Sequence, residues 1–254
     1  TFANNLLELV EFRVKDTDPI VNIKLMDLSN KLPAKVLFCT VRRNDEVEIP
    51  KGNFIFTGGD IVSVIGERKG INKFFTHLGR SSHKVKNITI VGGSRIAIYL
   101  AWLLEDLNMN VKIIELNKER SILLSELLPN ALIIHGDGTD QEVLDNENIQ
   151  TADATIALTD MDEENLISSL YAHQCGISKV VLKINRNNYI PIVKKLGLDS
   201  VISPKLTTAN SILRYVRALD NSQGIAVEKL YRISDEEAEV AEFTAKDSPT
   251  EILY

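Results

Sequence analysis

Between residues 88 and 202 the chain alternates short, continuously apolar runs with longer stretches of helical pattern. The runs fall at 88–91, 111–116, 131–134, 154–158, 180–184 and 200–202. They are apolar on successive positions rather than on alternate ones, which predicts strands buried on both faces of a parallel sheet. Gly176 and Gly197 stand where a glycine ends a helix just before a strand. Asp160, followed three residues later by Glu163, predicts a helix N-cap. Strand–helix alternation of this kind predicts an α/β fold, a doubly wound parallel sheet with right-handed crossovers, over residues 87–220.

The preceding region has a different rhythm. Residues 8–14 alternate like a half-exposed strand, and a helical pattern follows at 21–28. Strands are expected at 36–42, 53–56 and 61–65, separated by Pro50-Lys51-Gly52 and Gly58-Gly59-Asp60, with a helix at 70–79. Residues 1–79 thus form a small α+β module, joined by a linker at 80–86 whose polar core is Arg80-Ser81-Ser82-His83-Lys84. The stretch 8–16 (ELVEFRVKD) returns at 239–247 (EVAEFTAKD) with five of nine positions identical at an offset of 231. That echo predicts a tandem repeat, with residues 221–254 opening a second, truncated small module and the whole cut from a longer chain.

The run at 88–91 leads straight into Gly92-Gly93-Ser94-Arg95-Ile96-Ala97 and a helical pattern to about Leu107. This is where a G-x-G-x-x-G/A turn lies in a Rossmann-like domain, with Gly92 for the tight turn and Ala97 for close helix–strand packing. The exposed N–H groups and dipole of such a helix start favour a phosphate. Ser94 replaces the second glycine; its hydroxyl donates to a ligand or its Cβ obstructs one, and both readings stay open. Glu115 follows Gly92 by 23 residues, where an acid reaches ribose hydroxyls and repels a 2′-phosphate. NAD(H) or an adenine nucleotide is therefore favoured over NADP, unless Glu115 only caps the helix beginning near Asn117. Gly136-Asp137-Gly138-Thr139-Asp140 reads as a turn pressed against a ligand or an ordinary turn with Thr139 as helix cap. Thr159 opens an acidic stretch to Glu164 whose carboxylates complement a helix dipole better than they suit a cation.

No catalytic set accompanies these residues. His77, His83, His135 and His173 are scattered without metal-ligand spacing. The pattern predicts a site that binds rather than reacts, with a fragment of an NAD-dependent dehydrogenase or a purely structural oligomerisation module as the other readings.

Composition narrows the picture only a little. The 254 residues are 44% hydrophobic and 25% charged, which excludes wholesale disorder and fibrous architectures. With 29 Lys and Arg against 35 Asp and Glu, nucleic acid is not the expected partner. Cys39 and Cys175 lie 136 positions apart and are expected as buried thiols of a reduced, cytoplasmic protein.

The segments GGSRIAIYLAWLLE, VKIIELN, IIHGDGTD, ADATIALTDMDEENLISSLYA and GLDSVISPKLTTANSI resemble the nucleotide-binding domain of the TrkA family. These are cytosolic regulators of potassium transport, also called RCK or KTN domains. Residues 11–78 resemble the family's small C-terminal module, and together the likeness covers about 80% of the chain. It implies a non-catalytic regulatory subunit that binds NAD(H) or ATP/ADP. It further implies a homo-oligomeric ring of repeated domains, held at the inner face of the cell membrane by a pore partner of TrkH type. Carried over by position, Gly92, Ser94 and Ala97 form the glycine turn and Glu115 is the ribose acid. Asp137 and Thr139 flank the adenine, and Arg95, next to Ile96, reaches the phosphates; Thr159 completes the candidate set.

Overall fold

The computed structural model describes residues 6–28, 31–44, 46–80, 85–198, 200–220, 227–233 and 238–243. The chain falls into two compact units, one of Lys84–Ser211 and one that combines Thr1–His83 with Ile212–Tyr254.

The smaller unit contains β1 (Leu7–Arg13), α1 (Leu25–Leu28), β2 (Leu37–Arg43), β3 (Glu46–Glu48), β4 (Ile61–Glu67) and α2 (Arg68–His77). Its antiparallel sheet runs β1-β4-β2-β3. Alternate residues of β4, Val62 and Val64, are fully buried beneath Ile71 and Phe74 of α2. Four phenylalanines lock this core edge to face or tilted, with Phe12–Phe74 centroids 5.6 Å apart and Phe38–Phe56 5.0 Å.

Two expectations fail here for one reason. The helix foreseen at 21–28 shortens to Leu25–Leu28, and the strand foreseen at 53–56 does not form. Asn22 adopts φ 62°, which stops a helix, and Val21 and Lys24 make single bridges to Phe56 and Ile55. Each segment uses its backbone on the other, so neither completes a regular element. β3 was not foreseen because two of its three residues are exposed glutamates.

Arg80, expected to begin a linker, is instead tied into the small unit. Its guanidinium donates to Asp18 Oδ2 at 2.7 Å and to the Arg13 carbonyl at 2.6 Å, and lies 5.0 Å over the Phe12 ring. Residues 81–84 of that stretch lie outside the described residues.

Asp60 closes the turn before β4. Its carboxylate is 1% exposed and accepts two 2.7 Å bonds from Arg43 and one of 2.9 Å from the Thr57 N–H. Burial alone pushes its pKa up; the Arg43 guanidinium and the Thr57 donors outweigh that and hold it below the ordinary carboxylate value. A lowered folded-state value means the stabilisation is fully present above the unfolded-state pKa of about 3.9 and drains away as pH falls below it. Asp60→Asn is expected to cost about 2 kcal/mol at neutral pH, a charge-assisted hydrogen-bond loss, and to flatten acid unfolding below about pH 4. Parallel acid-unfolding curves for the two proteins would contradict this account.

The larger unit has β5 (Asn87–Val91), α3 (Arg95–Asp106), β6 (Asn110–Glu115), α4 (Lys118–Leu127), β7 (Leu132–His135) and α5 (Gln141–Asn146). It continues with β8 (Ala154–Ala157), α6 (Asp162–Gln174), β9 (Lys179–Lys183), α7 (Ile190–Lys195), β10 (Val201–Ile202) and α8 (Pro204–Asp220), which runs on past Ser211. The six strands are parallel in the order β10-β9-β8-β5-β6-β7, the doubly wound α/β arrangement expected. Neighbouring strand residues feed opposite layers. Ile113 packs with Ala97, Ala101 and Leu124 on one face, while Ile114 packs with Leu144, Ala172 and Leu182 on the other. Gly176 and Gly197 have positive φ and end α6 and α7, as their positions implied.

The cap expected at Asp160 is corrected. Helix α6 begins at Asp162, its N-cap is Met161 with no side-chain cap bond, and the Asp160 carboxylate turns to Lys183 instead. Likewise Thr139 does not cap α5. That role falls to Asp140, whose carboxylate accepts from the Glu142 N–H at 2.9 Å.

The echo at 239–247 forms β12 (Ala238–Phe243), paired antiparallel with β11 (Val227–Ile233); its last residues, 244–247, lie outside the described residues. Cys39 and Cys175 are unpaired and half-buried rather than buried, and burial pushes the Cys39 thiol up.

Candidate functional site

The carboxyl ends of β5, β6 and β8 open onto a crevice of about 1080 Å³. It lies where the strand order reverses, between β5 and β8. Open α/β sheets hold ligands at this position because two chain crossovers part there and leave strand ends uncovered.

The glycine turn forms its floor. Gly92 has φ 94° and donates to the Ile114 carbonyl at 2.8 Å. Gly93 permits two close approaches, since a Cβ there would meet Leu124 Cδ1 at 2.2 Å and Glu115 Oε2 at 2.8 Å. Ser94 is the N-cap of α3 with an extended backbone (φ −66°), so a side chain is unstrained there. Its Oγ accepts a long bond of 3.4 Å from the Ala97 N–H, and the residue lines the crevice. Arg95 and Ile96 follow in the first helical turn, where backbone N–H groups have no intrahelical acceptor, and both line the crevice. Ala97 does not line it; fully buried, it packs α3 against the sheet.

Glu115 braces the turn. Oε2 accepts from the Gly93 N–H at 2.7 Å and Oε1 from the Asn117 N–H at 2.8 Å. It does not cap α4, whose N-cap is Asn117, accepting from the Arg120 N–H. A carboxylate has about four acceptor positions, so capacity for a ribose hydroxyl remains. Asp137 Oδ1 takes both the N–H and the O–H of Thr139, at 2.8 and 2.7 Å, and both residues line the crevice beside Glu115. Thr159 lies across the turn, so close to Gly92 that a Cβ on the glycine would fall 2.7 Å from the Thr159 nitrogen.

Three residues that the sequence did not single out belong to the same region. Arg120 donates from Nε to the Gly93 carbonyl at 2.9 Å. Lys183, at the end of β9, lines the crevice with its ammonium 3.1 Å from Asp160 Oδ1. Asn165, fully buried in α6, joins Thr159 to the Lys183 carbonyl. Only Arg120 had a usable signal, its place one turn into the helix that follows Glu115. Among the described residues no group of His, Cys, Asp and Glu is arranged to hold a metal ion, and no helix is long and apolar enough to cross a membrane.

Fold and crevice together are those of the dinucleotide-binding class of α/β domains, here accompanied by a small antiparallel module. The chain belongs to the TrkA family: residues 88–204 match the TrkA-N domain and residues 9–79 the TrkA-C domain. It is 33% identical over 96% of its length to Trk system potassium uptake protein TrkA homolog 2 of Methanosarcina mazei, covering 53% of that protein. It is 34% identical to Trk system potassium uptake protein TrkA of Halomonas elongata, over 86% of this chain and 48% of that one. The chain thus spans about half the length of these curated relatives. Among solved structures, the GsuK RCK domain aligns with a TM-score of 0.57 at 19% identity, covering 87% of this chain and 48% of that one. The GsuK channel bound to NAD aligns with a TM-score of 0.57 at 18% identity, covering 89% and 40%.

Proposed function

We propose that this chain is the nucleotide-sensing part of a regulatory subunit of a Trk-type potassium uptake system. The observation that carries the reading is the glycine turn at the strand-order reversal, with Glu115 fixed beside it and the first residues of α3 lining the crevice. NAD(H) or ATP/ADP binds there, the adenosine toward Glu115, Asp137 and Thr139 and the phosphates over Gly92, Ser94, Arg95 and Ile96. Thr159 bounds the far side, and the buried Ala97 holds the turn against the sheet. The solved channel with NAD bound supports a nucleotide of this kind through shared fold.

The role is regulatory rather than enzymatic. Ligand binding does work on a partner only through unequal affinity for two states of the assembly. A preference of about 5.5 kcal/mol moves a two-state equilibrium from 1:99 to 99:1. The assembly is a homo-oligomeric ring of repeated domains, cytoplasmic and held at the inner face of the membrane by a pore subunit of TrkH type. Tyr99, Leu103 and Leu107, spaced four apart along α3 and its C-cap and each more than 60% exposed, support association with further copies.

Titration of the purified chain with NADH, NAD, ATP and ADP tests the site. Saturable binding is expected for at least one of them. Glu115→Ala is expected to weaken it about tenfold or more, the loss of a charge-assisted hydrogen bond. No saturable binding, or equal binding by the variant, overturns the assignment.

A further inference from the structure

The glycine turn is gripped by α4, and the grip falls on one residue. Gly93 has a peptide plane on each side, and without a Cβ both of its torsions are soft. The plane before it is held through its N–H, which donates to Glu115 Oε2 at 2.7 Å. The plane after it is held through its C=O, which accepts from Arg120 Nε at 2.9 Å. One bond on each rigid plane fixes the two torsions between them.

Arg120 is committed to this carbonyl. Among the described residues its side chain makes that bond and no ion pair. It stands in the first turn of α4, whose N-cap Asn117 donates its own N–H to Glu115 Oε1 at 2.8 Å. Leu124 follows four residues later on the same helix face. A Cβ on Gly93 would fall 2.2 Å from the Leu124 Cδ1. Glu115, Arg120 and Leu124 therefore meet the same glycine.

The bond to the carbonyl has a consequence one atom further along the chain. The Gly93 C=O and the Ser94 N–H belong to one trans peptide and point in opposite directions. Drawing the carbonyl toward α4 turns the Ser94 N–H away from it. Ser94 is the N-cap of α3 and lines the crevice, and an N–H at that position has no intrahelical acceptor. Its direction is thus set by a side chain on a different helix.

We infer that Arg120 is a positioning residue of the crevice: through the Gly93 carbonyl it sets the glycine turn so that the Ser94 N–H is presented to a ligand phosphate. The effect on affinity rests on the nucleotide reading; the effect on the shape of the turn does not. Arg120 also lines the crevice, so direct contact of its charge with a phosphate is the competing account. Side-chain geometry separates the two. Glutamine carries its amide nitrogen on Cδ, the same place along the side chain as Nε of arginine, and that nitrogen is an uncharged donor. Methionine matches the length and has no donor.

The test is calorimetric titration of the whole chain with ADP, together with amide exchange of Gly93 followed by NMR without ligand. Arg120→Met is expected to weaken ADP about tenfold, the loss of one charge-assisted hydrogen bond. Arg120→Gln is expected to recover binding to within about threefold of wild type, since the donor returns without the charge. Gly93 exchange should speed up about tenfold in Arg120→Met and fall back in Arg120→Gln. Equal weakening by both variants assigns the role to charge and overturns the inference. Unchanged ADP affinity or unchanged Gly93 exchange in Arg120→Met overturns it as well. If Arg120→Met does not fold, Arg120→Gln decides alone, and a tenfold loss of ADP there overturns the inference. Wild type that does not bind ADP counts against the nucleotide reading, while the exchange comparison still decides whether Arg120 sets the turn.

Discussion

Gly92→Ala is expected to destabilise the larger unit by about 3 kcal/mol or more and to abolish nucleotide binding. Two independent costs combine. At φ 94° an L-residue is strained, which is worth about 1–3 kcal/mol. The added Cβ would also meet the Thr159 nitrogen at 2.7 Å and its Cα at 2.8 Å. These are backbone atoms and cannot rotate away, so overpacking adds a further 1–3 kcal/mol or so. Nor can the turn shift as a whole. The Gly92 N–H is bonded to Ile114 on one side, and the Leu158 N–H to the Val91 carbonyl on the other, at 2.8 and 2.7 Å. Urea unfolding followed by far-ultraviolet circular dichroism checks the stability. An unchanged midpoint for the larger unit would show that the turn yields and that its shape is not imposed by Thr159.

That turn was legible in the sequence because glycine spacing after an apolar run has few structural meanings. The parallel sheet was legible for a related reason: six continuously apolar runs have no solvated face to offer, and each became a strand within a residue or two. The small unit was harder. Segment 53–56 has strand-like composition, yet it gives its backbone to Val21 and Lys24, a pairing set by the left-handed Asn22 and by no periodicity. Strand β3 hides between two glutamates, and Arg80 looks like a linker residue until Asp18 and Phe12 are brought beside it.

The candidate site divides along the same line. The candidates named from sequence that line the crevice are those whose place depends on local chain geometry, such as Gly92, Ser94 and Asp137. Those missed depend on neighbours distant in sequence. Lys183 reads as an ordinary strand-end lysine and Asn165 as a polar residue inside a helix; only the folded chain shows that Lys183 lines the crevice and that the buried Asn165 amide donates to its carbonyl. Glu115 lines the crevice, and its bonds to the Gly93 and Asn117 N–H groups add a bracing role that spacing alone does not reveal.

Asn165→Ala is expected to cost about 3 kcal/mol, although it removes only a small polar side chain. The Asn165 amide accepts from the Thr159 N–H at 2.8 Å and donates to the carbonyls of Thr159 and Lys183, each at 3.0 Å. It is fully buried and serves three backbone groups at the ends of β8 and β9, two on the half-buried Thr159 and one on the buried Lys183. Removing it leaves each unsatisfied at about 1–3 kcal/mol, offset where water enters from the crevice. The functional effect follows from the same bonds, because Thr159 bounds the glycine turn and Lys183 borders the crevice. Nucleotide affinity should therefore fall with stability. Asn165→Leu separates the causes, since it refills the volume without restoring a single hydrogen bond. Thermal unfolding of both variants is expected to show similar losses. Recovery of wild-type stability by the leucine would mean that packing, rather than the clamp on the two strand ends, holds this wall of the crevice in place.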